Sequence, residues 1–233
     1  MSVVAEQIQQ NLERIHERMA RACERSQRDP TSVRLVAVTK YAELPWVREL
    51  VALGQLELGE SRPQQLAARA AELPADVRWH LIGHLQRNKA ALVLPHVALI
   101  HSVDSERLLN QLETDAERLG LTREVLLEVN VSGEAAKDGF SPESVLAAAA
   151  RLAALRSVRP VGLMTMAPLS DDAEAARPHF QRLSHLRDDL QQQTGLSLPV
   201  LSMGMSGDFE VAIAEGATLV RIGTSLFEGL SPA

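Results

Sequence analysis

From residue 33 onward the chain repeats one alternation, a short apolar, β-branched run followed by a stretch with helical spacing. The runs fall at 33–38, 56–58, 77–82, 97–103, 124–131, 158–164, 199–203 and 218–222. Between the fourth and fifth, Leu108, Leu109, Leu112, Ala116 and Leu119 recur at the three-to-four spacing of one helix face. Ser141-Pro142-Glu143 reads as an N-cap, a first-turn proline and an early acid. Strands that alternate with helices pair in parallel. Eight such units in 233 residues predict a closed (β/α)8 TIM barrel. An open doubly wound sheet is the competing arrangement, but it usually has fewer strands and wants a glycine-rich turn after the first. Here the first run ends in Thr39-Lys40-Tyr41.

Ahead of the alternation, Ile8, Leu12, Ile15, Met19 and Ala22 form one apolar stripe, so residues 1–30 are expected to supply an extra N-terminal helix packed on the barrel. Cys23 sits beside that stripe and reads as a small core-facing residue. No Pro-, Gly- or Ser-rich linker divides the chain, and 147–154 is an alanine-rich helical stretch. Residues 1–233 are therefore expected to form a single domain.

Several classes are excluded early. With 24 Lys+Arg against 30 Asp+Glu the formal charge is −6, which argues against broad binding to nucleic acid or to an anionic membrane. One cysteine permits no disulfide within the chain and no Cys-based zinc site. The N-terminus lacks the apolar core of a secretory signal. The most apolar stretch, 90–103, is interrupted by Pro95, His96 and His101 and is too short to span a bilayer. A cytoplasmic setting is expected.

In a barrel of this kind, functional groups gather at the C-terminal ends of the strands, and phosphate often binds after strands 7 and 8. The first strand delivers Lys40 to the mouth, either as a partly desolvated amine suited to nucleophilic work or as a surface lysine capping a strand. After strand 7, Ser206 and Gly207 fall where a helix begins, as an anion cradle or as a simple N-cap. After strand 8, Gly223 allows close backbone approach, and Thr224 and Ser225 offer hydroxyls and N–H groups. Arg221 points to the same side of its strand as Gly223. It is either a cation inside the mouth, seeking a ring nitrogen or a carboxylate, or the ion-pair partner of Glu128 or Glu60. His80, His84, His101 and Asp104 raise the question of a metal, but no His-x-His pair lies on any strand and no metal site is expected. His80 reads as a polar residue pairing inside the barrel, with Gly83 permitting close approach at the following turn. Met164 and Met166 read as apolar lining of the pocket.

A lysine at the mouth, two phosphate cradles and an in-barrel arginine have a known joint use. Pyridoxal 5′-phosphate (PLP) needs an amine, a phosphate anchor and a partner for its pyridine nitrogen. The segments LVAVTK, GES at 59–61, WHLIGHLQRNK, LLEVNVSGEAAKDGF, GLMTMAP and LSMGMSGDFEVAIAEGATLVRIGTSLF, in order from Leu35 to Phe227, resemble the pyridoxal phosphate homeostasis proteins. The barrel of that family is similar to the N-terminal domain of bacterial alanine racemase. The resemblance implies that Lys40 carries the Schiff base and that Ser206, Gly207, Gly223 and Thr224 hold the phosphate. It also implies that Arg221 faces the pyridine nitrogen, with Ser61, His80 and Met164 as further candidate contacts. Two departures stand out. Ser61 replaces the family's usual Asn, a shorter side chain for any direct bond to the cofactor. The C-terminal Leu-Phe-Glu-Gly stands where Phe-Gly is usual.

The resemblance further implies a role in intracellular PLP and amino-acid homeostasis without established turnover, and no assigned catalytic residue. PLP-dependent apoenzymes are its expected partners. The single tyrosine, Tyr41, is adjacent to Lys40, so no tyrosine is expected to act as a second base across a cofactor. The chain also leaves little room after Phe227 for the second domain that a racemase uses, and a monomer is expected. A PLP-dependent amino-acid racemase and a Schiff-base barrel enzyme acting on a phosphorylated metabolite are the two alternatives.

Overall fold

In a computed structural model, described for residues 2–134 and 137–230, eight parallel strands close into a barrel in sequence order. They are β1 (Arg34–Val38), β2 (Glu57–Glu60), β3 (Arg78–Leu81), β4 (Val97–Val103), β5 (Arg123–Glu128), β6 (Val158–Met164), β7 (Val200–Ser202) and β8 (Leu219–Ile222). The helices are α1 (Val3–Arg25), α2 (Leu44–Ala52), α3 (Pro63–Glu72), α4 (Ala90–Val93), α5 (Glu106–Leu119), α6 (Pro142–Ala147), α7 (Ala149–Ala153), α8 (Arg177–Thr194) and α9 (Phe209–Ala214). The expected TIM barrel with an N-terminal helix is thus the observed fold. Ala135 and Ala136 of the LLEVNVSGEAAKDGF segment lie outside the described residues, as do the ends of the expected 1–233 domain.

The sequence patterns explain most of these elements. Ser105 and Ser141 cap α5 and α6, each side-chain oxygen accepting a backbone N–H three residues on. The alanine-rich stretch is broken at Ala148 into α6 and α7. Two positions depart from a regular alternation. After β3 there is only a 3-10 turn (Arg87–Lys89) and the single turn of α4, and after β8 only a 3-10 turn (Thr224–Leu226). The missing eighth outer helix is replaced by α1, which packs between α2 and α9. Its stripe of Ile8, Leu12, Ile15, Met19 and Ala22 is buried there with Cys23, and each fully buried aliphatic side chain stabilises by roughly 1.5–3 kcal/mol. Specific bonds fix its place. Arg18 makes a two-pronged pair with Glu210 of α9. Asn11, buried, donates to the Leu226 and Glu228 carbonyls. Arg28 donates to the Ile213 and Ala217 carbonyls at the C-terminal end of α9.

The barrel interior is part apolar and part polar. Val36, Leu99, Leu126, Met164 and Leu219 form a small buried cluster there. The larger core lies between the sheet and the helices. Beside the interior apolar cluster, β3, β4, β7 and β8 contribute the buried polar residues His80, His101, Ser202 and Arg221.

Candidate functional site

The mouth of the barrel opens into a cleft of about 950 Å³. The register of β1 against β8 pairs Val36 with Arg221 and Ala37 with Ile222. Lys40, Arg221, Gly223 and Thr224 therefore come from adjacent strand ends, with Ser206 and Gly207 following β7. All six line the cleft, as does Ser61, which follows β2 next to β1.

Lys40 stands on a braced turn. Arg69 of α3 donates to the carbonyls of Thr39 (2.8 Å) and Ala42 (2.5 Å), gripping the chain on both sides of Lys40. Arg69 is itself paired with the buried Glu60, which also accepts from Thr39 Oγ1 at 2.7 Å. Glu60 is therefore the brace of the Lys40 turn rather than the partner of Arg221. Lys40, read from the sequence as either a partly desolvated amine or a surface lysine, is exposed, its Nζ 5.0 Å above the Tyr41 ring centroid. Among the described residues Lys40 makes no ion pair.

The two loops after β7 and β8 are tied together by Ser225 N–H, which donates to Ser206 Oγ at 3.4 Å. The N-cap position of α9 belongs to Asp208, not Ser206, and its carboxylate accepts the Met205 N–H at 2.6 Å. Ser206 and Gly207 thus form the turn that precedes the helix. A Cβ built on Gly207 meets nothing within 4 Å, so the backbone there borders open space. At Gly83 the opposite holds, since a Cβ would lie 2.4 Å from the Ser61 carbonyl oxygen. Only a glycine lets the ends of β2 and β3 come this close.

Arg221, 5% exposed, makes no ion pair with Glu128 or Glu60. Its guanidinium donates to two neutral acceptors, Ser202 Oγ at 2.5 Å and the Thr165 carbonyl at 3.0 Å. Burial pulls its pKa down to about 10, partly offset by the nearby Glu128 and Asp208. Across the cleft, Glu128 is 8% exposed and its carboxyl accepts no hydrogen bond among the described residues. Burial and then Asp104 push its pKa up to about 7, with Asp138 adding to the rise while Arg221 and His84 oppose it.

Two candidates from the sequence are not in the cleft lining. His80 is 1% exposed, and both its ring nitrogens are engaged below the mouth, one by His101 and one by Glu57. Met164 belongs to the apolar cluster inside the barrel, because its strand turns it inward one layer beneath the opening. Met166, two residues on, does line the cleft. The four groups considered for a metal separate. His80 and His101 pair inside the barrel, while His84 and Asp104 meet at the mouth (3.1 Å) together with Asp138.

The structure adds lining residues that the sequence reading passed over, notably Trp46, stacked on Phe227 at 5.9 Å, and Asn130, Lys137 and Asp138. Asn130 follows the end of β5, so the same strand-end rule that found Lys40 points to it. Its amide donates to the Glu134 and Lys137 carbonyls and its Oδ1 accepts from Ser132 and Gly133, shaping the loop that carries Lys137 and Asp138.

The alanine racemase N-terminal domain family matches residues 5–232. A pyridoxal phosphate homeostasis protein of Aquifex aeolicus is 41% identical over 219 residues, covering 94% of this chain and 96% of its own. The crystal structure of an unknown protein from Bifidobacterium adolescentis superposes with a TM-score of 0.91 at 36% identity, covering 97% of this chain and 96% of that one. PipY of Synechococcus elongatus, solved with PLP bound, superposes with a TM-score of 0.80 at 41% identity, covering 91% of this chain and 99% of that one. The chain belongs to the alanine racemase N-terminal domain family and, within it, to the pyridoxal phosphate homeostasis proteins.

Proposed function

We propose that this protein binds PLP in the cleft at the barrel mouth and takes part in balancing the cellular PLP and amino-acid pools without catalytic turnover of its own. The observation that carries the reading is the convergence of Lys40, the two tied loops and Arg221 on one cleft. When bound, PLP supplies an aldehyde carbon that condenses with amines and a ring that withdraws electrons. Lys40 offers the amine for that carbon. Ser206, Gly207, Gly223 and Thr224 offer hydroxyls and backbone N–H groups to the phosphate, and the open space at Gly207 leaves room for it. Arg221 presents only donors, so a ring nitrogen set against it stays unprotonated and the ring is a weaker electron sink than one facing a carboxylate.

The absence of turnover is supported by Tyr41. The single tyrosine of the chain lies beneath Lys40 rather than across the cleft, and it is 82% exposed. A two-sided proton transfer lacks a tyrosine on the far side. Delivery to apoenzymes is supported by the rim, where Tyr41, Met166 and Leu169 expose apolar surface at the cleft edge. A monomer is supported by α1, whose apolar stripe is spent on its own barrel. Among the described residues no helix is long and apolar enough to cross a membrane.

The test is the visible spectrum of the purified protein with added PLP, before and after borohydride, followed by peptide mapping. A band that borohydride removes, leaving a fixed adduct on the Lys40 peptide, is the expected result. An unlabelled Lys40 or an adduct elsewhere overturns the site. Turnover of any member of an L- and D-amino-acid panel, lost in Lys40→Ala, would replace carriage by the racemase reading.

A further inference from the structure

A row of hydrogen bonds runs through the barrel interior from Glu57 of β2 to Arg221. Glu57 Oε2 contacts His80 Nε2, His80 Nδ1 lies 2.8 Å from His101 Nε2, and His101 Nδ1 lies 2.9 Å from Ser202 Oγ. Arg221 then donates to that same Ser202 oxygen at 2.5 Å. His80, His101 and Ser202 are each at most 1% exposed.

The position of every proton follows from the chemistry of the partners. A guanidinium only donates, so Ser202 Oγ accepts from Arg221 and must send its own O–H elsewhere. The acceptor in reach is His101 Nδ1. His101 therefore carries its proton on Nε2 and gives it to His80 Nδ1. His80 in turn carries its proton on Nε2 and gives it to the Glu57 carboxylate. The reverse order would leave the Ser202 hydroxyl without an acceptor in a buried site, costing roughly 1–3 kcal/mol. Burial disfavours the charged form of both rings, in keeping with two neutral histidines.

The geometry points to a positioning role for this row: Ser202, His101 and His80 hold Arg221 by a one-way chain of donated protons anchored on Glu57, leaving the remaining guanidinium N–H groups for an acceptor in the cleft. A carboxylate bonded directly to Arg221 would occupy two of those donors and compete with a ligand. The Ser202 hydroxyl takes one and the Thr165 carbonyl another, and the counter-charge sits at the far end of the row. The charged groups facing the two ends are Glu128 and Asp208 around Arg221, and Arg34 and Arg78 around Glu57. The role rests on the PLP reading only for the identity of the acceptor.

Two measurements test it. Nitrogen-15 NMR of the histidine side chains in the protein without added PLP is expected to show His80 and His101 as neutral rings protonated on Nε2. A doubly protonated ring, or a proton on Nδ1 of either, overturns the row. In Ser202→Ala, the His101 ring is expected to lose its fixed tautomer and PLP affinity to fall about tenfold, while borohydride still fixes PLP on Lys40. Ser202→Thr, which keeps the hydroxyl, restores both. Unchanged affinity and tautomer in Ser202→Ala overturn the positioning role. Failure of the unsubstituted protein to take up PLP removes the PLP reading, and the NMR result still decides the row.

Discussion

Two glutamates mark the two ends of the barrel. Glu57, at the start of β2, has its carboxylate fully occupied by Arg34 and Arg78, each at 2.9 Å, and by His80. Burial alone would raise its pKa, but these three donors hold it down at about 2. Glu128, at the end of β5, is more deeply buried, lacks a hydrogen-bond donor among the described residues, and is pushed the other way. One carboxylate is solved by its neighbours and the other is left in tension. Charges that hold a fold are satisfied within it, whereas a site keeps groups that await a ligand. The contrast separates a structural base from a binding mouth without reference to any relative.

By that division, changes at the mouth alter binding without costing stability, and changes at the base cost stability. The largest effect expected is at Lys40. Lys40→Ala should abolish borohydride fixation of PLP altogether, while urea unfolding shifts by no more than about 0.5 kcal/mol because the side chain is exposed. A large loss of stability would break the division. Glu57→Leu tests the base. It leaves His80 Nε2–H and two arginines without their acceptor, so unfolding free energy should fall by about 3 kcal/mol. The pH dependence follows from the lowered pKa. The contribution of Glu57 is present above its ordinary value of 4.5 and fades as pH falls toward 2, so the gap between variant and parent should narrow in acid.

The same division explains what the sequence could disclose. Strand-helix alternation depends on local spacing, so the barrel, the leading helix and the strand-end residues Lys40, Arg221, Gly223 and Thr224 were legible. The closing of the ring by α1 was not, because it depends on Asn11, Arg18 and Arg28 meeting partners roughly two hundred residues away. The inward turn of Met164 against the outward Met166 hinges on where β6 ends, a boundary that spacing leaves loose. Whether Lys40 is enclosed or exposed stayed open in the sequence, because depth at a mouth is set by the neighbouring loops. His80 was rightly read as pairing inside the barrel, but its partners sit on β2 and β4 and no motif links them.

Glu128→Gln probes the mouth more gently. Between pH 4.5 and about 7 the folded protein holds a proton on Glu128 that the unfolded chain has given up, so stability falls as pH rises through that window and the penalty stays constant above it. Glutamine removes the penalty. The variant should match the parent at pH 4 and exceed it by ~1–3 kcal/mol at pH 8 in urea titrations. Equal stability at both pH values would show that the carboxyl is satisfied after all, and the contrast with Glu57 would close.

The smallest change sharpens the comparison most. Gly207 lies outside the left-handed backbone region, and a Cβ there meets no protein atom. Gly207→Ala should therefore leave the unfolding midpoint unchanged, or raise it slightly by restricting the unfolded chain. The added methyl projects into space that only a ligand would fill. A phosphate seated on the turn at Ser206 and Gly207 would have to shift, and one displaced hydrogen bond to a charged group costs about 1.5 kcal/mol, near a tenfold loss of affinity. Spectral titration with PLP measures that loss, and the same titration with pyridoxal, which lacks the phosphate, should show none. A methyl that weakens both equally would place the phosphate elsewhere in the cleft. Weakening confined to the phosphorylated form would place it on this turn.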